Sequence, residues 1–159
     1  MACSQVKNER PTSIKTVGDL KYYDESSPYR VYLMEREKYV PFLVLENYED
    51  GSTLLLREFL LDDLQIYNYD NVEYPTYYAT SYIDNYLNTE YANTFSKETF
   101  DLIQKTDIEI TSLNGLKTHK RETEIISRKI FLLSATEVRN EFGSLHPSEG
   151  SELMYFMNR

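Results

Sequence analysis

Ser134 and Glu137 stand three residues apart and together present a hydroxyl nucleophile beside a carboxylate base. A serine presented on a nucleophile elbow needs flanking glycines for the sharp turn, and none flank Ser134. The same spacing is that of a capping box, where serine and glutamate each satisfy an amide of the first helical turn, so a cap explains both residues without chemistry. His119 sits in a basic loop and His146 precedes Pro147, and neither has the spacing of a zinc ligand. Cys3 is the single cysteine, which rules out an intrachain disulfide and a zinc site built from several cysteines. Asp62, Asp63, Asp70 and Asn71 carry the oxygens a hard cation takes, yet their spacing fits no known loop, and they read as solvated acids. The 26 acidic residues offer many pairs for hydrolytic acid–base work and single none out. The expectation is a protein with no enzymatic activity, no metal and no cofactor.

Tyrosine is the unusual residue. There are 15, with no tryptophan. Tyr67, Tyr69, Tyr74, Tyr77, Tyr78 and Tyr82 crowd one stretch that also holds Asn68, Asp70, Asn71 and Pro75. The turn formers predict a loop. Its rings either cover the core or form a contact surface, because tyrosine buries a ring while keeping its hydroxyl wet. These six are the candidate binding residues.

The chain has 159 residues and a formal charge of −9. The basic footprint of a nucleic-acid binder is missing, and nucleic acid is not an expected partner. A mimic of DNA would need carboxylates spaced like phosphates, whereas the acids here are scattered among lysines and arginines. No run approaches the roughly 18 apolar residues of a membrane span, and no membrane association is expected. The N-terminal stretch lacks the apolar region of a secretory signal.

Residues 1–13 read as a flexible leader or attachment arm, and 14–159 as one α+β domain. Gly18-Asp19 is an expected turn and 22–28 an expected loop. Strands are expected at Tyr29–Met34, Tyr39–Glu46 and Thr53–Arg57. The run Phe42–Leu45 is apolar on both faces, so its strand should be central, with Leu43 and Leu55 at the heart of the hairpin. Pro41 should mark the strand start or a bulge, and Asp50-Gly51 a tight turn. Glu58–Asn68 reads as a helical turn or an apolar loop closing over the sheet. Ser81 should cap a helix carrying Ile83, Tyr86, Leu87 and Tyr91 on its core face, with Asp84 and Asn88 on the others. Ser96 should cap a second helix. Asp107–Leu113 and Glu124–Leu133 read as strands around a loop or excursion at Asn114–Glu122. Ser134 should open a third helix ending at Gly143. The tail Leu153–Arg159 is too apolar for a solvated terminus and should dock on its own sheet or on a neighbour.

Three pieces in order, residues 42–61, 80–103 and 127–138, resemble a family of uncharacterised domains found in phage and gut-bacterial proteins. Its motif Ser-x-(Ile/Leu)-(Asp/Arg)-x-(Trp/Tyr)-Leu-Asn falls on Ser81, Ile83, Asp84, Tyr86, Leu87 and Asn88. Its motif Phe-Leu-Leu-Ser-x-x-Glu falls on Phe131, Leu132, Leu133, Ser134 and Glu137. From first to last the pieces span roughly two thirds of the chain. That family in turn resembles the C-type-lectin-like fold of formylglycine-generating enzymes and phage receptor-binding proteins. The resemblance implies an antiparallel sheet with two or three short helices. It also implies a further Trp-rich strand and a closing Gly-Val-Arg-Pro strand, neither of which this sequence contains, so that part of the sheet should be missing, replaced or supplied by another chain. Formylglycine chemistry needs paired cysteines, and lectin calcium binding needs Glu-Pro-Asn or Gln-Pro-Asp with Trp-Asn-Asp, and these too are lacking.

The expectation that follows is a non-catalytic binding or structural module of a phage or phage-derived particle, serving adhesion, decoration or assembly. A small acidic phage protein that inhibits a host protein by direct binding is the alternative, and a hydrolase of unknown specificity the third. Partners should be proteins, either a second copy in a homo-oligomer or another particle protein, and a cell-surface ligand is a further candidate. Leu153, Tyr155 and Phe156 are the candidate assembly residues. The location implied is the virion or the cytoplasm of the producing bacterium. If Ser81 is the cap, Ser81→Ala should lower stability by about 0.5–2 kcal/mol, read as a shifted denaturation midpoint.

Overall fold

The strand with two apolar faces does become the middle of a sheet. In the computed structural model, which describes residues 30–138 and 147–157, Lys38–Asn47 forms β2 between Arg30–Glu35 (β1) and Thr53–Arg57 (β3), all antiparallel. The leader, the turn at Gly18-Asp19, the loop at 22–28, Cys3, His146 and the helix end at Gly143 lie outside the described residues. Arg36 and Glu37, both at positive φ, make the tight β1–β2 turn. Gly51, at φ +85°, makes the β2–β3 turn, and the Asp50 carboxylate accepts the Ser52 amide at 2.8 Å.

One face of this sheet carries Leu33, Val40, Phe42 and Leu55 against Ile83, Tyr86, Leu87, Tyr91 and Phe95. The other carries Leu43, Leu45, Leu54 and Leu56 against Leu133, Leu153, Tyr155 and Phe156. Helices therefore cover one side and the C-terminal tail the other. The expected centre shifts. Val44 and Leu45 are fully buried, while Leu43 and Leu55 are only half-buried. A register shift between Val44 and Glu46 takes Leu45 out of the ladder, while Leu43 and Leu55 stay paired within it. Pro41 is neither at the strand start nor at that bulge, but inside β2 opposite Tyr32. Its carbonyl accepts the Glu58 amide at 3.1 Å, so its missing N–H falls just past the end of β3, where no ladder bond is lost.

The capped helix is α1, Tyr82–Tyr86, with the Ser81 hydroxyl accepting the Asp84 amide at 3.2 Å. Leu87–Tyr91 continues it as a π-turn, in which Ala92 donates to the Leu87 carbonyl. The wider turn keeps Tyr86, Leu87 and Tyr91 all on the buried side. The Ser81 amide itself bonds the Tyr78 carbonyl at 2.9 Å. Ser96 caps α2, Lys97–Leu102. The second sheet pairs β4 (Thr106–Thr111) with β5 (Thr123–Arg128). The excursion between them is ordered, correcting the expected loop. Ser112 caps α3, Leu113–Thr118, which ends on His119 in the left-handed region. Gly115 is required there, because a Cβ would lie 2.8 Å from the Lys120 carbonyl oxygen.

Two further expectations fail for stated reasons. Residues 129–133 do not extend β5. The Ile130 backbone pairs instead with the Asn88 side chain, whose nitrogen donates to the Ile130 carbonyl at 2.8 Å, and the Leu132 amide bonds the Tyr78 hydroxyl at 3.2 Å. Side chains supply the partners a neighbouring strand would have supplied, and Leu132 is exposed. The stretch from Phe59 to Ile66 does not close over the sheet either. Only Leu61 joins the core periphery, while Phe59, Leu60, Leu64 and Ile66 face outward. The apolar tail, by contrast, does dock on its own sheet, as a short helix α4, Met154–Met157.

Asp84 and Asn88, expected on the outer faces of α1, instead tie it to β5. Arg128 donates to the Asp84 carboxylate from Nε at 2.7 and 2.9 Å and from Nη2 at 2.7 Å, and Asp84 is only 4% exposed. Arg128→Ala strands that charge in the interior and should cost about 3–5 kcal/mol in denaturant unfolding. Replacing both partners by leucine should cost less than the single change.

Candidate functional site

The six tyrosines singled out above make different local contacts. The structure divides them into three pairs. Tyr67 and Tyr78 lie with ring centroids 6.5 Å apart and line one side of a cleft of about 210 Å³. Tyr69 and Tyr82 meet edge to face at 5.5 Å. Tyr74 and Tyr77 turn toward the second sheet, where Lys117 sits over the Tyr74 ring and the Tyr77 hydroxyl bonds Glu124 at 2.5 Å.

The Tyr69–Tyr82 pair heads a file of rings. Tyr82 stacks on Tyr86 at 6.2 Å, Tyr86 on Tyr91 at 6.5 Å, and Tyr91 meets Phe95 edge-on at 5.3 Å. Phe95 then reaches Phe42 of β2 at 6.2 Å. Exposed Tyr69 is thereby connected, ring by ring, to the buried core. Such pairs add about 0.5–1.5 kcal/mol each beyond burial. The file is anchored by charge, since the Tyr91 hydroxyl donates to buried Glu35 at 2.9 Å and Glu35 also accepts Arg57 Nε at 3.0 Å.

The loop that carries Tyr67 and Tyr69 is held at several points. The Tyr67 carbonyl accepts the Ile83 amide at 3.0 Å, and its hydroxyl donates to the Thr76 carbonyl at 3.1 Å. Asn68 bridges the loop, donating to the Pro75 carbonyl at 3.2 Å and accepting the Tyr69 amide at 3.0 Å. Arg57 Nη1 donates to the carbonyls of Phe59 and Leu60, the latter at 2.7 Å. Aromatic and apolar side chains are thus presented on a fixed backbone.

The cleft beside Tyr67 and Tyr78 is walled by Ile108, Ile110, Leu132 and Leu133, with Glu109, Glu137 and Glu149 among its polar residues. Its carboxylates are engaged internally. Glu149 accepts the Thr111 amide at 2.6 Å and the Thr111 hydroxyl at 2.5 Å. Glu109 accepts the Gly150 amide at 3.2 Å. Glu137 accepts the Ser134 amide at 2.7 Å while Ser134 Oγ accepts the Glu137 amide at 3.1 Å, which completes the predicted capping box. Burial pushes the Glu137 carboxyl above its ordinary pKa, with Ser134 opposing. Ser134 also donates to the Glu149 carbonyl at 2.7 Å, so its hydroxyl is committed to structure. Sequence reasoning found Ser134 and Glu137 through their spacing. It missed Glu109, Thr111 and Glu149, whose meeting spans distant segments and leaves no local pattern.

His119 is exposed, and Asp62, Asp63, Asp70 and Asn71 are exposed as well. Among the described residues no group of three or more His, Cys, Asp or Glu could hold a metal ion. No described helix is long and apolar enough to cross a membrane. Of the candidate assembly residues, Leu153 and Tyr155 are buried on their own sheet and Phe156 is half-buried against Tyr155, with ring centroids 5.0 Å apart.

The model of a family described as Domain of unknown function (DUF6273) matches residues 50–159. No curated protein and no solved structure matches the chain.

Burial pushes the Tyr78 hydroxyl up to about 12, and burial together with Glu35 also raises Tyr91. Between pH 10 and 12 the unfolded chain releases these protons and the folded chain keeps them, so stability falls as pH rises. The slope is about 1.4 kcal/mol per pH unit for each fully shifted group. Thermal melts should drop steeply above pH 10, and Tyr78→Phe should flatten that limb.

Proposed function

This chain belongs to the DUF6273 family, and from that premise we propose that it is a non-catalytic binding or structural module of a phage or phage-derived particle, serving adhesion, decoration or assembly. The observation that carries the reading is the loop from Phe59 to Val72. Phe59, Leu60, Leu64, Ile66, Tyr67, Tyr69 and Val72 are all exposed there, on a backbone tied down at Leu60 and at Tyr67. Isolated exposed apolar residues are ordinary, but this many in one short loop are the signature of a contact surface. Tyrosines within it suit a protein partner, because they add contact area at low entropic cost.

Absence of catalysis belongs to the same proposal and is supported by the cleft, whose carboxylates and serine are spent on backbone amides and hydroxyls. So do a C-type-lectin-like descent of the fold, protein rather than nucleic-acid partners, assembly into a homo-oligomer or with another particle protein, and residence in the virion or the producing cell. The acidic surface lends some support to the second reading, an inhibitor that binds a host protein directly.

Expression together with the neighbouring genes, followed by sedimentation, separates the two readings. The particle reading expects the protein to sediment with particles, and the variant carrying Leu64→Ser and Tyr69→Ser to stay in the supernatant while melting normally. A wild-type protein that remains free of particles and bound to one host factor would favour the inhibitor instead.

A further inference from the structure

Between Arg57 and Lys97 the chain contains no lysine, arginine or histidine. The same span holds Glu58, Asp62, Asp63, Asp70, Glu73, Asp84 and Glu90. Glu58 is neutralised by Arg30 and Asp84 by Arg128. Asp62, Asp63, Asp70, Glu73 and Glu90 are exposed, and none of them is ion-paired among the described residues. Asp62 and Asp63 lie between Leu60, which is 92% exposed, and Leu64, which is fully exposed, with Phe59 and Ile66 beyond.

Resting on the reading of this loop as a contact surface, we propose that its partner is a cationic protein segment in which lysine or arginine alternates with apolar residues. Apolar side chains on such a partner would cover Leu60 and Leu64, and its cations would meet Asp62 and Asp63. The argument is complementarity of charge. Like charges opposed across an interface cost several kcal/mol, whereas opposite ones steer the encounter. With no basic residue between Arg57 and Lys97, this acidic loop is repelled by the same loop of a second copy and by the phosphates of nucleic acid and anionic lipid. The loop is also prepared for binding. Arg57, itself bonded to Glu35, fixes the carbonyls of Phe59 and Leu60, and the Ile83 amide fixes that of Tyr67, so little ordering remains to be done.

The test uses the full chain and a short synthetic peptide alternating lysine with leucine, followed by fluorescence anisotropy at low and at physiological salt. A matching peptide with glutamate in place of lysine is the comparison. The lysine peptide should bind, more weakly as salt rises, and the glutamate peptide should not. The double variants Leu60→Ser/Leu64→Ser and Asp62→Asn/Asp63→Asn should each weaken binding about tenfold or more, with unchanged thermal melts. Glu90→Gln, outside the loop, should leave it unchanged. Equal weakening by Glu90→Gln would mean net charge alone is at work and would overturn the proposal. So would indifference to the leucine pair, or concentration-dependent self-association that the leucine pair abolishes. In the sedimentation assay, release from particles by the leucine pair but not by the aspartate pair would sink the cationic partner and leave the contact surface standing. Release by neither would remove the contact surface as well.

Discussion

Asp84 is the residue on which the rest of the structure turns. It sits in the first turn of α1, where its backbone amide completes the Ser81 cap and its carboxylate receives Arg128 from β5. A buried carboxylate without a partner is costly, so the position of β5 relative to α1 is fixed by the need to satisfy it. Asn88, one turn on, holds the Ile130 backbone in both directions, and the Tyr78 hydroxyl takes the Leu132 amide. Through these contacts the second sheet, which shares no strand with the first, becomes part of the same body.

Glu35 and Arg57 repeat the principle on the first sheet. They lie on its two edge strands, β1 and β3, and Tyr91 from the π-turn adds a third hydrogen-bonding partner. Arg57 turns Nη1 to the carbonyls of Phe59 and Leu60. A buried charge pair seldom adds much net stability, but it discriminates among packings, since only one arrangement leaves no ion stranded. Here the discrimination extends outward, because the guanidinium that neutralises Glu35 also sets the base of the exposed loop.

What the sequence made legible was local. The doubly apolar run of β2, the Asp50-Gly51 turn, the Ser81 and Ser96 caps and the Ser134–Glu137 box depend on neighbours within a few residues, and all are present. Asp84 and Asn88 were misplaced because helical periodicity sorts residues by polarity, and polar residues that are buried with distant partners defeat that sorting. The run Ile130–Leu133 looked like a strand because its apolarity is real, but its backbone is satisfied by side chains more than 40 residues away. The loop from Phe59 to Ile66 looked like core for the same reason. Nothing in composition distinguishes an apolar residue that packs in the interior from one that stays exposed.

The covering of the first sheet by α4 has a consequence for synthesis. Leu43, Leu45, Leu54 and Leu56 emerge from the ribosome early, and their cover, Leu153 and Tyr155, follows roughly a hundred residues later. During translation the fully buried residues of the helical side are complete once Phe95 is made, whereas the opposite side still lacks Leu153 and Tyr155. A nascent chain stalled between those points exposes a leucine-rich sheet face, the kind of surface that holding chaperones recognise and that aggregates when they are scarce.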